Sequence, residues 1–199
     1  MAKRNIPVVL TKEEQERLLE QPNSRYITGE RNYLMLNIML STGLRLAEVV
    51  NLRWKDVNLT SGKITVRNGK GGKDRNLWIG EENLELMRSW KERQTEKAGE
   101  PLEFVFTSMS KGTVGNKINR RYVQDMVKRY AEKAGIEKNI SPHTMRHTFA
   151  TDLYRETGKI RLVQKALGHV DLSTTMIYTH IVDDEMEYAL KNFRNGKVG

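Results

Sequence analysis

Cysteine is absent from all 199 residues. That excludes disulfides, thiolate nucleophiles, iron–sulfur ligation and cysteine-built zinc sites. No run of about 18 apolar residues occurs, so no membrane-spanning helix is expected. Proline is scarce, with 4 residues, and no Pro/Gly/Ser-rich stretch divides the chain. Repeats and low-complexity tracts are also missing, which makes one compact domain the expectation. The opening MAKRNIPVVL is basic but has no long apolar core and no cleavage site, so a cytoplasmic location is expected. Acids are in the minority: 25 Asp and Glu stand against 34 Lys and Arg, for a net charge of +9. A basic domain of this kind suits an acidic partner, with nucleic acid foremost.

What is present reads as mainly α with one small antiparallel sheet. Thr11 followed by Glu14 is a capping box opening a short helix that carries Leu18 and Leu19. Residues 30–42 keep helical spacing through Leu34 and Ile38 until Thr42-Gly43 breaks the run, and 45–52 restart it. The period then changes to two. Residues 63–67 and 75–79 alternate as strands around the turn Asn68-Gly69-Lys70-Gly71-Gly72, and 104–106 are a candidate third strand. Helices are expected over 82–98, 116–134, 142–157 and 160–167, then a short segment at 173–179 and a last helix at 183–194. Ser141 as N-cap with Pro142 behind it is a strong helix start.

Charge is unevenly spread. Residues 63–75 hold five Lys/Arg and one acid, and residues 111–133 hold seven and two. Solvated faces explain either run alone; together, on a basic chain, they favour phosphate contacts. Arg45 follows a glycine break at a helix start, where a guanidinium and free N–H groups both favour an anion. Glu48, three residues on, is placed to pair with it. Lys70 sits at the tip of the glycine-rich turn, from which a flexible ammonium can reach a phosphate. On the helix after Ser141, Met145, Phe149 and Leu153 form a buried side, while His143 and Arg146 share another edge. His143 and His147 are also spaced as a metal pair, but no third ligand accompanies them, and no metal site is expected.

The segments TGLRLAEV, GKGGK, SPHTMRHTFAT, LGH and STTMIYTH occur in the order and spacing of the tyrosine recombinases, and residues 8–194 resemble that family's catalytic domain. The resemblance implies that Arg45 and Arg146 are paired catalytic arginines, Lys70 the hairpin lysine, His143 and His169 the active-site histidines and Tyr178 the nucleophile. Glu48 matches the supporting acid. Lys73, Arg75, Lys117, Asn119, Arg120, Arg121 and Thr144 are candidate DNA contacts. Residues 1–199 are then one catalytic domain without the family's N-terminal core-binding domain. The segment 180–199 is a candidate protomer-exchange helix, with Val182, Met186, Leu190 and Phe193 as its apolar stripe. Packing of that stripe on its own domain is the alternative.

The implied reaction suits these residue types. A phenol with a pKa of about 10 is only about 0.1% ionised at pH 7, a handicap of roughly 4 kcal/mol. Arg45, Arg146 and His143 are expected to reduce it. Two guanidinium forks match the non-bridging oxygens of a phosphorane, and Lys70 is expected to protonate the leaving 5′ oxygen. The resemblance implies double-stranded DNA as partner, no cofactor, a monomer in solution and a tetramer on paired sites. Rival readings are a DNA-binding regulator without catalysis, a relaxing topoisomerase and a metal-dependent nuclease.

Overall fold

The computed structural model describes residues 7–67, 74–168 and 175–192, without the side chains of 184, 185, 188, 189 and 192. Eight helices and one hairpin follow in order among them: α1 (Lys12–Leu19), α2 (Ile27–Thr42), α3 (Leu46–Val50), a 3-10 turn (Trp54–Asp56), β1 (Lys63–Val66), β2 (Arg75–Trp78), α4 (Glu81–Ala98), α5 (Arg120–Lys133), α6 (Pro142–Thr157), α7 (Ile160–Leu167) and α8 (Ile177–Asn192). The mainly helical class with a small antiparallel sheet is the one expected from the sequence.

Local signals account for most boundaries. Thr11 and Glu14 close their capping box, and Asn119 caps α5 by accepting from the Tyr122 N–H at 2.8 Å. That cap is why α5 starts at Arg120 rather than at 116; just before it, Lys117 bridges to Thr107. Gly43 ends α2 at φ 60°. A Cβ there would also lie 2.2 Å from Phe149 on α6, so only glycine allows both the turn and the close approach.

The sheet has two strands among the described residues, with Ile64 opposite Leu77 and Thr65 opposite Asn76. Residues 104–106 do not form the expected third strand. Phe104 makes a single bridge to Arg53, and the Val105 N–H reaches the Leu52 carbonyl at 2.9 Å. The expected break between 179 and 183 is also absent: Tyr178 and the tail belong to one helix, α8.

Two buried clusters organise the molecule. The larger runs from Leu10 through α2, the hairpin, α4 and α5 to Met145. The smaller joins Ala150 of α6, Val163 and Leu167 of α7, and Tyr178 and Ile181 of α8. Helix α6 touches both, which is why it is buried on more sides than the Met145–Phe149–Leu153 spacing implies: Thr144, Arg146, Thr148 and Thr151 are buried too. No described helix is long and apolar enough to cross a membrane.

Candidate active site

Five elements meet at the site: α3, β2, α6, α7 and α8. Arg45 caps the start of helix α3, and Glu48 in its first turn reaches back to the Arg45 N–H at 2.7 Å. The other Glu48 oxygen accepts from the Arg45 guanidinium at 3.0 Å. Arg75, at the start of β2, donates two parallel bonds to the same carboxylate, at 2.8 and 2.7 Å. Burial opposes the charge on Glu48, but the Arg75 fork and then Arg45 outweigh it and hold the carboxyl below its ordinary range.

The end of α7 is the second fixed point. Gly168 turns the chain there at φ 63°, leaving terminal carbonyls without helical partners. Arg75 Nε donates to the Ala166 carbonyl at 2.9 Å, and Arg146 donates to the Leu167 carbonyl at 2.7 Å. Arg146 also donates to the Gly43 carbonyl at 2.5 Å. Two guanidinium groups thus cap one helix C-terminus, where the helix dipole favours cations. Arg146 is buried and crowded by charge of its own sign. Burial, then Arg45 and Arg75, pull its pKa down to about 10, while Glu48 and Tyr178 act the other way.

Tyr178 lies in the first turn of α8 and is 1% exposed. Its hydroxyl is 2.9 Å from His147 Nδ1. Burial pushes the phenol up to about 12, and Arg146 offsets only part of that. Cations were expected to lower this pKa; in the resting chain desolvation wins. His147 is itself pushed down to about 4, by burial first and then by His143 and Arg146. It is neutral at pH 7, so its Nδ1 can accept the phenolic proton's hydrogen bond while the proton stays on Tyr178. His143, one turn earlier, is exposed and meets His147 edge-on with ring centroids 4.3 Å apart.

The residues expected at the site therefore divide. Arg45, Glu48, Arg146 and Tyr178 come together through Arg146, and His143 joins through His147. Lys70, Lys73 and His169 lie outside the described residues. Lys117, Asn119, Arg120 and Arg121 are exposed at and before the start of α5. Lys117 donates to Asn51 Oδ1 at 3.0 Å and Arg121 pairs with Asp125 at 3.0 Å.

Two of the candidate DNA contacts are turned inward in the chain without DNA. The Arg75 side chain is only 8% exposed and is engaged with Glu48 and Ala166. Strand alternation carries the reason, since Arg75 shares its face with the buried Leu77 and Ile79. Thr144 is buried as well, and its hydroxyl accepts from the Ser141 N–H at 3.2 Å, closing the α6 capping box. The Ser141-x-x-Thr144 spacing carried that signal. For His147 the sequence offers half of a metal pair or a structural role. Its real neighbour is 31 residues away, a contact that no local pattern announces. No cluster of three metal-ligating side chains occurs among the described residues.

The phage integrase family model matches residues 8–185. Tyrosine recombinase XerC of Xanthomonas campestris pv. campestris (strain B100) is 39% identical over 180 residues, covering 90% of this chain and 53% of that protein. Tyrosine recombinase XerD of Staphylococcus saprophyticus is 35% identical over 199 residues, covering 96% and 63%. The chain spans 53% and 63% of the length of these two curated relatives. Among solved structures, XerA recombinase superposes with a TM-score of 0.79 at 32% identity, over 98% of this chain and 66% of that one. XerH site-specific recombinase bound to palindromic difH substrate, in a post-cleavage complex, gives 0.79 at 31% over 95% and 54%. The catalytic domain of bacteriophage HP1 integrase gives 0.62 at 25% over 97% and 99%.

Proposed function

The chain belongs to the phage integrase family, and from that premise we propose that it cuts and rejoins duplex DNA at specific sites through a covalent link to Tyr178. The observation that carries this reading is the convergence on one phenol: Tyr178 lies in the field of Arg146, which in turn is crowded by Arg45 and Arg75. A cluster of cations held together by one carboxylate is relieved by an incoming anion. A DNA phosphate is an anion that the family relatives' substrates supply.

In the proposed reaction the Tyr178 oxygen attacks phosphorus as its phenolic proton is relayed away through His169, and the bond to the 5′ oxygen breaks. Arg45 and Arg146 stabilise the added charge on the non-bridging oxygens, with His143 and His169 as further donors. Lys70 supplies the proton that the 5′ oxygen takes. The 3′-phosphotyrosine keeps the ester's energy, so a second 5′ hydroxyl can reclaim the strand without ATP. The residues assigned to the step are cations rather than the carboxylate set of two-metal catalysis, so no metal or other cofactor is required.

The resting pocket is closed to this step. Tyr178 is fully buried, protonated and hydrogen-bonded to a neutral His147. DNA binding must therefore bring the phenol and a phosphate together. Helix α8 is placed to respond: its first turn is buried with Tyr178 and Ile181, while Met186 and Leu190 farther along are 59% and 68% exposed. Those side chains suit docking on a neighbouring protomer. The chain is then a monomer free in the cytoplasm and a tetramer on paired sites.

The test uses a duplex selected by the wild-type chain from a randomised pool, nicked within the selected sequence and labelled. A protein–DNA adduct is expected on a denaturing gel with EDTA present, and it is expected to vanish in Tyr178→Phe. An adduct that persists in that variant moves the nucleophile elsewhere; binding without any adduct leaves a regulator. Relaxation of any supercoiled duplex, without dependence on the selected site, marks a topoisomerase.

A further inference from the structure

Arg75 stands at the junction of three elements without facing solvent. It leaves the first residue of β2, holds Glu48 of α3 with both terminal nitrogens, and gives its Nε–H to the Ala166 carbonyl at the end of α7. The next carbonyl of α7, Leu167, is held by Arg146. Glu48 in turn holds Arg45 through both its backbone N–H and its guanidinium. The packing around Arg75 is close, since a Cβ on Gly168 would come within 3.0 Å of its Cδ.

From this arrangement we infer that Arg75 is a positioning residue of the proposed strand-transfer site, setting Arg45 through Glu48 and the α7 terminus shared with Arg146, rather than a contact to the DNA backbone. The inference rests on the proposed function for the reaction it serves, but the geometry is independent of it. Three of the guanidinium's five N–H donors are already spent on one carboxylate and one carbonyl, in the planar fork that suits them. The two N–H groups that remain belong to a side chain only 8% exposed, so a phosphate would have to open the packing around it, and displacing Glu48 would free the partner that orients Arg45. Lysine keeps the charge but has no planar fork, so it cannot hold two carboxylate oxygens and a carbonyl at once.

The two roles separate experimentally through Arg75→Lys and Arg75→Ala in the full chain. DNA binding is measured against salt concentration, and single-turnover cleavage of the selected nicked duplex is measured at saturating DNA, well below each variant's thermal midpoint. A positioning role predicts that cleavage falls tenfold or more in both variants, while the slope of log affinity against log salt stays at the wild-type value. A phosphate contact predicts that Arg75→Ala loses about 0.9 from that slope and that Arg75→Lys cleaves normally; either result overturns the inference. A role in stability alone lowers the thermal midpoint and leaves the cleavage rate intact, which also overturns it.

Should both variants fail to fold, Glu48→Asp shortens the shared carboxylate and leaves every cation in place. The same loss of cleavage is expected from it, and undiminished cleavage counts against the inference. Failure of the underlying reading looks different. In that case the wild-type chain forms no adduct, and the Arg75→Ala salt slope still decides between strut and phosphate contact.

Discussion

Two buried arginines differ in what surrounds them. Arg31 on α2 and Arg146 on α6 are 3% and 4% exposed, and burial lowers the pKa of both. Arg31 is surrounded by neutral groups: Asn32 Oδ1 accepts from Nε and Nη2, the Thr107 carbonyl accepts from Nη1 at 2.9 Å, and the Tyr122 hydroxyl accepts from Nη2. It ties α2 to α5 and to the segment before it. Arg146 is also bonded to carbonyls, but its charged neighbours include Arg45 and Arg75. Burial alone is therefore no sign of function. Like charges gathered in a low-dielectric pocket are, because they store repulsion that an anion relieves.

Substituting the two arginines sharpens this contrast. Arg146→Ala is expected to lower single-turnover cleavage by about 10²–10³-fold, the usual cost of removing one charge-stabilising donor. Arg31→Met is expected to leave the cleavage rate unchanged below its thermal midpoint. Its cost is stability, about 1–3 kcal/mol for the unpaired partners it leaves, or roughly 2–4 °C of thermal midpoint per kcal/mol for a chain of this size. A cleavage defect in Arg31→Met equal to that in Arg146→Ala would erase the distinction.

A smaller effect tests the pocket's electrostatics. His147 has its pKa lowered from about 6.5 to about 4 and faces His143, Arg146 and Tyr178. The unfolded chain binds a proton at this residue first, so stability is expected to fall as the pH drops from about 6.5 toward 4. Glu48, with its pKa below the ordinary 4.5, contributes a further loss only at lower pH. Thermal midpoints of wild type and His147→Phe across this range check the assignment. The variant is expected to be less stable at pH 7, because the buried Tyr178 hydroxyl loses its hydrogen-bond partner, and flatter between pH 6.5 and 4.

The smallest effect belongs to the outer surface. Arg121 is 82% exposed and its pair with Asp125 is a solvent-screened one. If it touches phosphate, Arg121→Ala weakens binding to all duplexes alike and lowers the salt slope by about 0.9, with cleavage at saturating DNA unchanged. A change in preference among selected sequences would instead place Arg121 at base edges.

Much of this was legible along the chain. The capping signals of α1 and α6, the glycine stops of α2, α6 and α7, and the alternation of the hairpin all follow from local chemistry. The motifs around Arg45, Arg146 and Tyr178 were legible too, because each is a short run with its own spacing. Local cues also place Arg75 and Thr144 inward: strand parity puts Arg75 on the face of Leu77 and Ile79, and Ser141-x-x-Thr144 puts the threonine in a cap. His147 had no such cue. Tyr178 was assigned to a short segment apart from the last helix, because nothing local showed that one helix would carry both the buried phenol and the exposed Met186 and Leu190.

Composition and contacts within a few residues are enough to set the helical class, the basic character and the residue types available for phosphate chemistry. Tertiary structure alone decided which cations share a pocket, which arginine is a strut, and which imidazole holds the phenol. Those outcomes depend on desolvation and on charges brought together from distant parts of the chain, and both exist only once α3, β2, α6, α7 and α8 have packed around one point.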